Sequence, residues 1–76
     1  MDGFDFGDAL HMLREGYKVS RHGWNGKGMC IELQVPDANS KMQRPYIYIK
    51  TAQNELVPWC ASHADLLGYD WFLYSE

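Results

Sequence analysis

The chain has 76 residues, of which 46% are apolar and 14% aromatic, and its formal net charge is −3. This length predicts one small domain spanning residues 1–76. The negative charge argues against a protein that coats a nucleic acid polymer. No apolar stretch approaches the roughly 20 residues that are needed to span a membrane. A domain of this size is usually stabilised further by disulfides, a metal or a partner subunit.

Disulfides and metals are not expected to supply that stability. Cys30 and Cys60 lie in apolar, strand-like stretches and are interpreted as small buried side chains. The acidic start Met1–Asp5 lacks the features of a signal peptide, so both thiols are expected to stay reduced in the cytoplasm. The histidines and cysteines lack ligand spacing, which predicts no metal and no cofactor. With three tryptophans and five tyrosines to bury, the chain is expected to form a homo-oligomer.

Asp5 and Gly16 bound the first predicted helix. Asp5 is a suitable N-cap residue, and Gly16 is expected to end the helix in the left-handed conformation. The apolar positions follow i, i+3, i+4, i+7 spacing at Phe6, Ala9, Leu10 and Leu13. This spacing predicts one apolar face, with Met12 outside it.

Alternating apolar residues and turn signals predict five strands. These are Tyr17–Arg21, Met29–Val35, Tyr46–Lys50, Leu56–Val57 and Asp70–Tyr74. Pro58 is expected to stop the fourth strand, and the last strand is expected to be central, with Trp71 in the core. Ser62 and Asp65 match a capping box that opens a short helix ending at Gly68. The order predicts an α+β fold, an antiparallel sheet with an N-terminal helix packed on one face and a short second helix before the last strand.

The first candidate binding segment follows the first strand. Arg21 can make bidentate contacts with phosphate, Trp24 offers a stacking face for a base, and Asn25 can read a base edge or a sugar. The turn offers backbone N–H groups as an anion nest, formed by Gly26, Lys27 and Gly28. The alternative is an ordinary hairpin turn whose tryptophan folds back on the sheet.

The second candidate segment surrounds the short helix. Ser62 places helix N–H groups where they attract an anion, and Trp59 lies just before it. Asp65 or Asp70 could accept ribose hydroxyls. The alternative is that Ser62 and Asp65 only cap the helix and that the tryptophans belong to the core.

Signals for catalysis are missing from this pattern. The chain has no Walker-type phosphate loop, no dinucleotide fingerprint and no nucleophile elbow. An acid–base pair of Asp65 and Asp70 requires one raised pKa, for which the sequence gives no sign. A binding protein is therefore predicted rather than an enzyme.

The two segments together resemble the second class of Thoeris anti-defence proteins. The similarity covers most of the chain. It runs through Phe6–Leu10, Arg21, Gly23–Met29, Val57–Trp59, Ala61–Ser62, Asp65–Leu67 and Asp70–Trp71.

The resemblance implies a phage protein that binds a cyclic ADP-ribose-type signal nucleotide uncleaved, in the cytoplasm of the infected host. It also implies a homo-oligomer, dimer or tetramer, with ligand pockets at subunit boundaries. Carried over to this chain, Trp24 would stack on a base, and Arg21, Asn25 and Gly26–Gly28 would face the pyrophosphate or sugars. Three alternatives stay open: a sponge for cyclic oligonucleotides, an interaction module assembled through its aromatic residues, and an enzyme that hydrolyses the signal.

Overall fold

The computed structural model describes residues 3–24 and 28–75 and contains a five-stranded antiparallel sheet with two helices. The elements are α1 Phe6–Arg14, β1 Val19–Arg21, β2 Cys30–Gln34, β3 Tyr46–Lys50, β4 Leu56–Pro58, α2 His63–Leu67 and β5 Trp71–Leu73. Neighbouring strands pair antiparallel in the order β4-β3-β2-β1-β5. The predicted α+β fold is confirmed. The predicted contacts Asn25, Gly26 and Lys27 lie outside the described residues.

Helix α1 is bounded by local interactions that the sequence predicts. The side chain of Asp5 caps the helix by accepting a hydrogen bond from the backbone N–H of Asp8 at 2.9 Å. Gly16 follows the helix with φ +95°, a conformation that costs glycine little. Ala9 and Leu13 are buried, so the predicted apolar face is the one that meets the sheet.

The core lies between α1 and one half of the sheet. Helix α1 contacts β5, β1 and β2, and the buried apolar cluster consists of Ala9, Leu13, Val19, Ile31, Ile49 and Trp71. Val19 pairs with Ile31, and Ile31 with Ile49. Cross-strand partners point to the same face of a sheet, so these residues form one apolar row beneath the helix.

Strand β5 lies at the edge of the sheet, so the prediction of a central last strand is wrong. It pairs with β1 on one side. On the other side, Phe4 and Trp71 exchange two backbone hydrogen bonds of 2.9 and 3.1 Å. The prediction that Trp71 belongs to the core is confirmed, because its exposed fraction is 0%.

Several further sequence predictions need correction. Cys60 is exposed, whereas Cys30 is buried, and neither forms a disulfide. Met12 lies outside the apolar spacing, yet it packs against the core. Pro58 belongs to β4 instead of stopping it, which is tolerated because β4 is an edge strand. Strand β3 has the predicted bounds, whereas β1, β2 and β5 are shorter than predicted. Terminal residues of the predicted strands, such as Val35, lie outside the paired residues.

Within residues 3–24 and 28–75, no helix combines the length and the hydropathy that crossing a membrane requires. In the same part of the chain, no three His, Cys, Asp or Glu side chains are grouped as metal ligands would be.

Candidate functional site

Trp24 belongs to a cluster of aromatic rings at the α1 face of the sheet. Its ring centroid is 5.4 Å from that of Trp71 and 6.4 Å from that of Trp59, with the planes steeply inclined in both pairs. Phe6 completes the cluster, with its ring 5.2 Å from Trp71. Edge-to-face packing of this kind adds to the stability that burial alone confers. Trp24 and Trp59 remain partly exposed, so the cluster joins the core to the surface.

Arg21 lies beside this cluster because of the strand register. It is the cross-strand partner of Trp71, so both side chains lie on the α1 face. Its guanidinium is bound by two carboxylates. Nε donates to Asp70 Oδ1 at 2.8 Å and Nη2 to Asp70 Oδ2 at 3.3 Å, while Nη1 donates to Asp65 Oδ1 at 2.8 Å. We call Arg21, Asp65 and Asp70 the Arg21 clamp.

Asp65 connects the clamp to two tryptophans and to the cap of α2. Its Oδ1 also accepts the indole N–H of Trp24 at 3.1 Å, and its backbone carbonyl accepts the indole N–H of Trp71 at 2.9 Å. Its Oδ2 accepts the backbone N–H of Ser62 at 2.9 Å, and Ser62 Oγ accepts the N–H of Asp65 at 3.1 Å. The predicted capping box is therefore confirmed. Asp65 serves both as a cap and as a clamp residue.

Asp70 holds the backbone that leads to Trp24. Its Oδ2 accepts the N–H of Gly23 at 2.8 Å. A Cβ at position 23 would lie only 2.9 Å from that oxygen, so the close approach of backbone and carboxylate depends on glycine. Gly28, at the far end of the predicted turn, has φ +79°, which also suits glycine.

The clamp shifts the pKa of each of its members toward the charged form. Hydrogen bonds to Asp70 and Asp65 raise the pKa of Arg21. Burial acts to raise the pKa of Asp65, but hydrogen bonds from Ser62, Arg21 and Trp24 outweigh it and leave the pKa lowered. The hydrogen bond from Arg21 lowers the pKa of Asp70. All three groups are therefore charged at neutral pH.

An open groove of about 540 Å³ adjoins the aromatic cluster through Trp59. It lies where α1 leaves the outer part of the sheet uncovered, and its walls are Leu10, Arg14, Leu33, Pro45, Tyr46, Ile47 and Trp59. Its volume is within the usual range for small-molecule sites. Sequence reasoning identified Trp59 but missed Arg14 and Tyr46. Arg14 could have been found from its position four residues after Leu10, because residues with this spacing lie on the same face of a helix.

The structure thus brings most of the described candidate residues together. Arg21, Trp24, Ser62, Asp65 and Asp70 are linked by hydrogen bonds, and Trp59 joins them by ring contact. Gly28 lies instead near the hydroxyl of Tyr74. This group of residues offers a partly exposed aromatic surface, and its carboxylate oxygens already accept hydrogen bonds within the chain. Such an arrangement suits ligand binding more than proton transfer.

Comparison with known proteins gives the family. The Thoeris anti-defense 2-like domain family matches residues 4–74 of this chain. The chain is also similar to the protein named Thoeris anti-defense 2 from Bacillus phage SP01. The two are 37% identical over 83 aligned positions, which cover 92% of this chain and 93% of the relative. On both grounds, the chain belongs to the Thoeris anti-defense 2-like family.

Proposed function

We propose that this protein acts against Thoeris defence by binding a cyclic ADP-ribose-type signal nucleotide and holding it unchanged. Membership of the family and the name of its phage relative support the anti-Thoeris role. The observation that carries the binding proposal is the pair Trp24 and Trp59. Their partly exposed rings have centroids 6.4 Å apart, and Trp59 lines an open groove. The site of action is the cytoplasm of the infected bacterial host, where such a signal would be met.

The groove and the ring of Trp24 offer complementary contacts to such a ligand. A base can stack on Trp59 or Trp24, and stacking on an aromatic residue contributes about 1–3 kcal/mol per base. Arg14 lines the groove and can pair with a phosphate. The sequence predicts further contacts to the ligand from Asn25, Gly26, Lys27 and Gly28, through backbone N–H groups and polar side chains.

Binding without turnover is supported by the state of the carboxylates. A general acid at neutral pH needs a raised pKa, whereas the pKa values of Asp65 and Asp70 are lowered. Each of their four oxygens already accepts at least one hydrogen bond within the chain. The hydrolytic alternative therefore has little support at this site.

A homo-oligomer, dimer or tetramer, is part of the proposal. The groove is open on the side that α1 leaves uncovered, so a second copy could supply its missing wall. Large apolar side chains are exposed elsewhere as well, among them Leu67 at 77% and Tyr69 at 74%. Where such side chains form one contiguous patch, they mark an interaction site. They also favour the second candidate function, an interaction module assembled through apolar and aromatic residues.

One experiment separates binding from hydrolysis and from pure assembly. The protein is mixed with an excess of a cyclic ADP-ribose isomer, denatured by heat, and the supernatant is chromatographed. We expect saturable binding by calorimetry beforehand and intact nucleotide afterwards. A linear ADP-ribose product that increases with time would identify an enzyme. Binding of cyclic oligonucleotides only would support the related sponge, and no binding of either class would support the interaction module.

A further inference from the structure

We propose that Arg21, Asp65 and Asp70 are positioning residues that hold Trp24 and the backbone immediately before it, and that none of the three contacts the phosphates of the ligand. This inference rests on the proposed function, since it concerns the same binding site. It assigns to Arg21 a role different from the phosphate contact that its position in the sequence predicts.

The geometry of the guanidinium leaves no edge for a phosphate. An arginine binds phosphate most strongly through two parallel N–H groups on one edge of the fork. The Nε–Nη2 edge of Arg21 faces both oxygens of Asp70. The other edge is engaged at Nη1, which donates to Asp65. The Arg21 side chain is only 15% exposed, so a ligand would have to displace a carboxylate to reach it.

The charge of the clamp also disfavours a phosphate. One guanidinium and two carboxylates, all ionised, sum to a single negative charge. The Asp65 and Asp70 side chains are 10% and 24% exposed, so solvent screens them incompletely. An anion brought to this point would meet net repulsion at short range.

The same hydrogen bonds attach the clamp to Trp24 at two points. Asp65 Oδ1 accepts both Nη1 of Arg21 and the indole N–H of Trp24. Asp70 Oδ2 accepts both Nη2 of Arg21 and the backbone N–H of Gly23. The indole ring and the backbone immediately before it are therefore fixed by carboxylates that Arg21 itself orients. If the ring is already held in the position that it takes in the complex, less conformational entropy of this side chain is lost when the ligand binds.

The substitution Asp70→Asn tests this arrangement, because the two roles of Arg21 predict opposite signs. If the clamp positions Trp24, affinity for the cyclic ADP-ribose isomer falls by about tenfold or more, and the slope of log Kd against log salt stays as in the wild type. If Arg21 contacts phosphate, removing a neighbouring negative charge strengthens binding. An unchanged affinity with a lower Tm would make the clamp merely structural. Either of the last two results overturns the proposal.

Asp8→Asn is the matched control, since Asp8 is an exposed aspartate of α1 and the same charge is removed. We expect wild-type affinity. Arg21→Lys is the second variant in case Asp70→Asn does not fold. Lysine keeps the charge but loses the fork, so affinity falls if Arg21 positions Trp24 and is largely retained if it is a point-charge contact to phosphate.

A spectroscopic measurement keeps this inference separable from the proposed function. In ¹⁵N-labelled protein, the indole N–H signal of Trp24, assigned with Trp24→Phe, should shift and exchange faster in Asp65→Asn and Asp70→Asn than in Asp8→Asn. An unaffected signal overturns the positioning role. If the wild type binds no nucleotide while the signal responds as expected, the proposed function fails and the clamp stands.

Discussion

Arg21 and Asp70 are 49 residues apart in the sequence, yet Nε of the guanidinium lies 2.8 Å from Oδ1 of the carboxylate. Pairing of β1 with β5 produces this contact, since the register places Arg21 opposite Trp71, the residue after Asp70. The contact joins β1, the first strand in the sequence, to the residue just before β5, the last one, at the point where α2 contributes Asp65. Loss of any clamp residue therefore affects three elements together.

Removal of Arg21 should destabilise the fold. In Arg21→Ala, two incompletely screened carboxylates lose their shared cation, and we expect the free energy of unfolding to fall by about 2–3 kcal/mol. Urea unfolding followed by tryptophan fluorescence measures this change. Arg14→Ala, at an exposed position of α1, is the control and should change stability by less than about 0.5 kcal/mol. Equal effects of the two substitutions would contradict a clamp.

Low pH should destabilise the fold, because the same carboxylates become protonated. Because the pKa values of Asp65 and Asp70 are lowered in the folded state, the stability they contribute is present above the ordinary aspartate pKa of about 3.9. It is lost as the pH falls through their lower folded values. We expect the free energy of unfolding to fall below about pH 4. Asp70→Asn should be less stable than the wild type at pH 7, and the difference should shrink on acidification. If the free energies of unfolding of the wild type and of Asp70→Asn changed in parallel with pH, the carboxylate of Asp70 would not be the cause.

The three tryptophans should separate into core and binding residues. Trp71→Ala removes a ring with 0% exposure and should cost about 3–5 kcal/mol, enough to threaten a domain of this size. Trp24→Ala and Trp59→Ala should leave a folded protein that binds the signal nucleotide roughly five- to two-hundredfold more weakly. Thermal melting without ligand and calorimetry with ligand, on each variant, distinguish these effects. Unchanged affinity in both Trp24→Ala and Trp59→Ala would move the proposed site elsewhere.

Tyr48 should lose its proton only at strongly alkaline pH. Its hydroxyl donates to Glu32 Oε1 at 2.6 Å, and this hydrogen bond, with burial, raises its pKa to about 12. A raised pKa stabilises the fold below the ordinary tyrosine pKa of about 10, and this contribution is lost as the pH rises toward the folded value. Ultraviolet titration should show a late ionisation step that Glu32→Gln moves back toward about pH 10. A late step that persists in Glu32→Gln would exclude this cause.

Oligomerisation should be visible at low concentration. Light scattering behind a sizing column, at a few micromolar protein, should give the mass of a dimer or a tetramer, because the groove and the exposed apolar residues gain burial from a second copy. Leu67→Lys, at an exposed position of α2, tests whether that surface takes part. A clean monomer would contradict a pocket shared between subunits.

The sequence by itself determined those features that arise from interactions over a few residues. The cap at Asp5, the left-handed Gly16 and the Ser62–Asp65 capping box were all predictable. Each depends on hydrogen bonds or dihedral preferences within about one helical turn. The order of helices and strands follows from apolar periodicity in the same way.

Only the tertiary structure decided which distant residues meet. The edge position of β5, the exposure of Cys60 and the groove beside Trp59 depend on how the strands are ordered and how far α1 extends over them. Arg21 shows the consequence most directly. Its residue type suits a phosphate as well as a carboxylate, and the tertiary fold brought two carboxylates to it, from α2 and from the residue before β5, 44 and 49 residues away. Local sequence contains no information on that choice, because the competing partners become neighbours only once the sheet has formed.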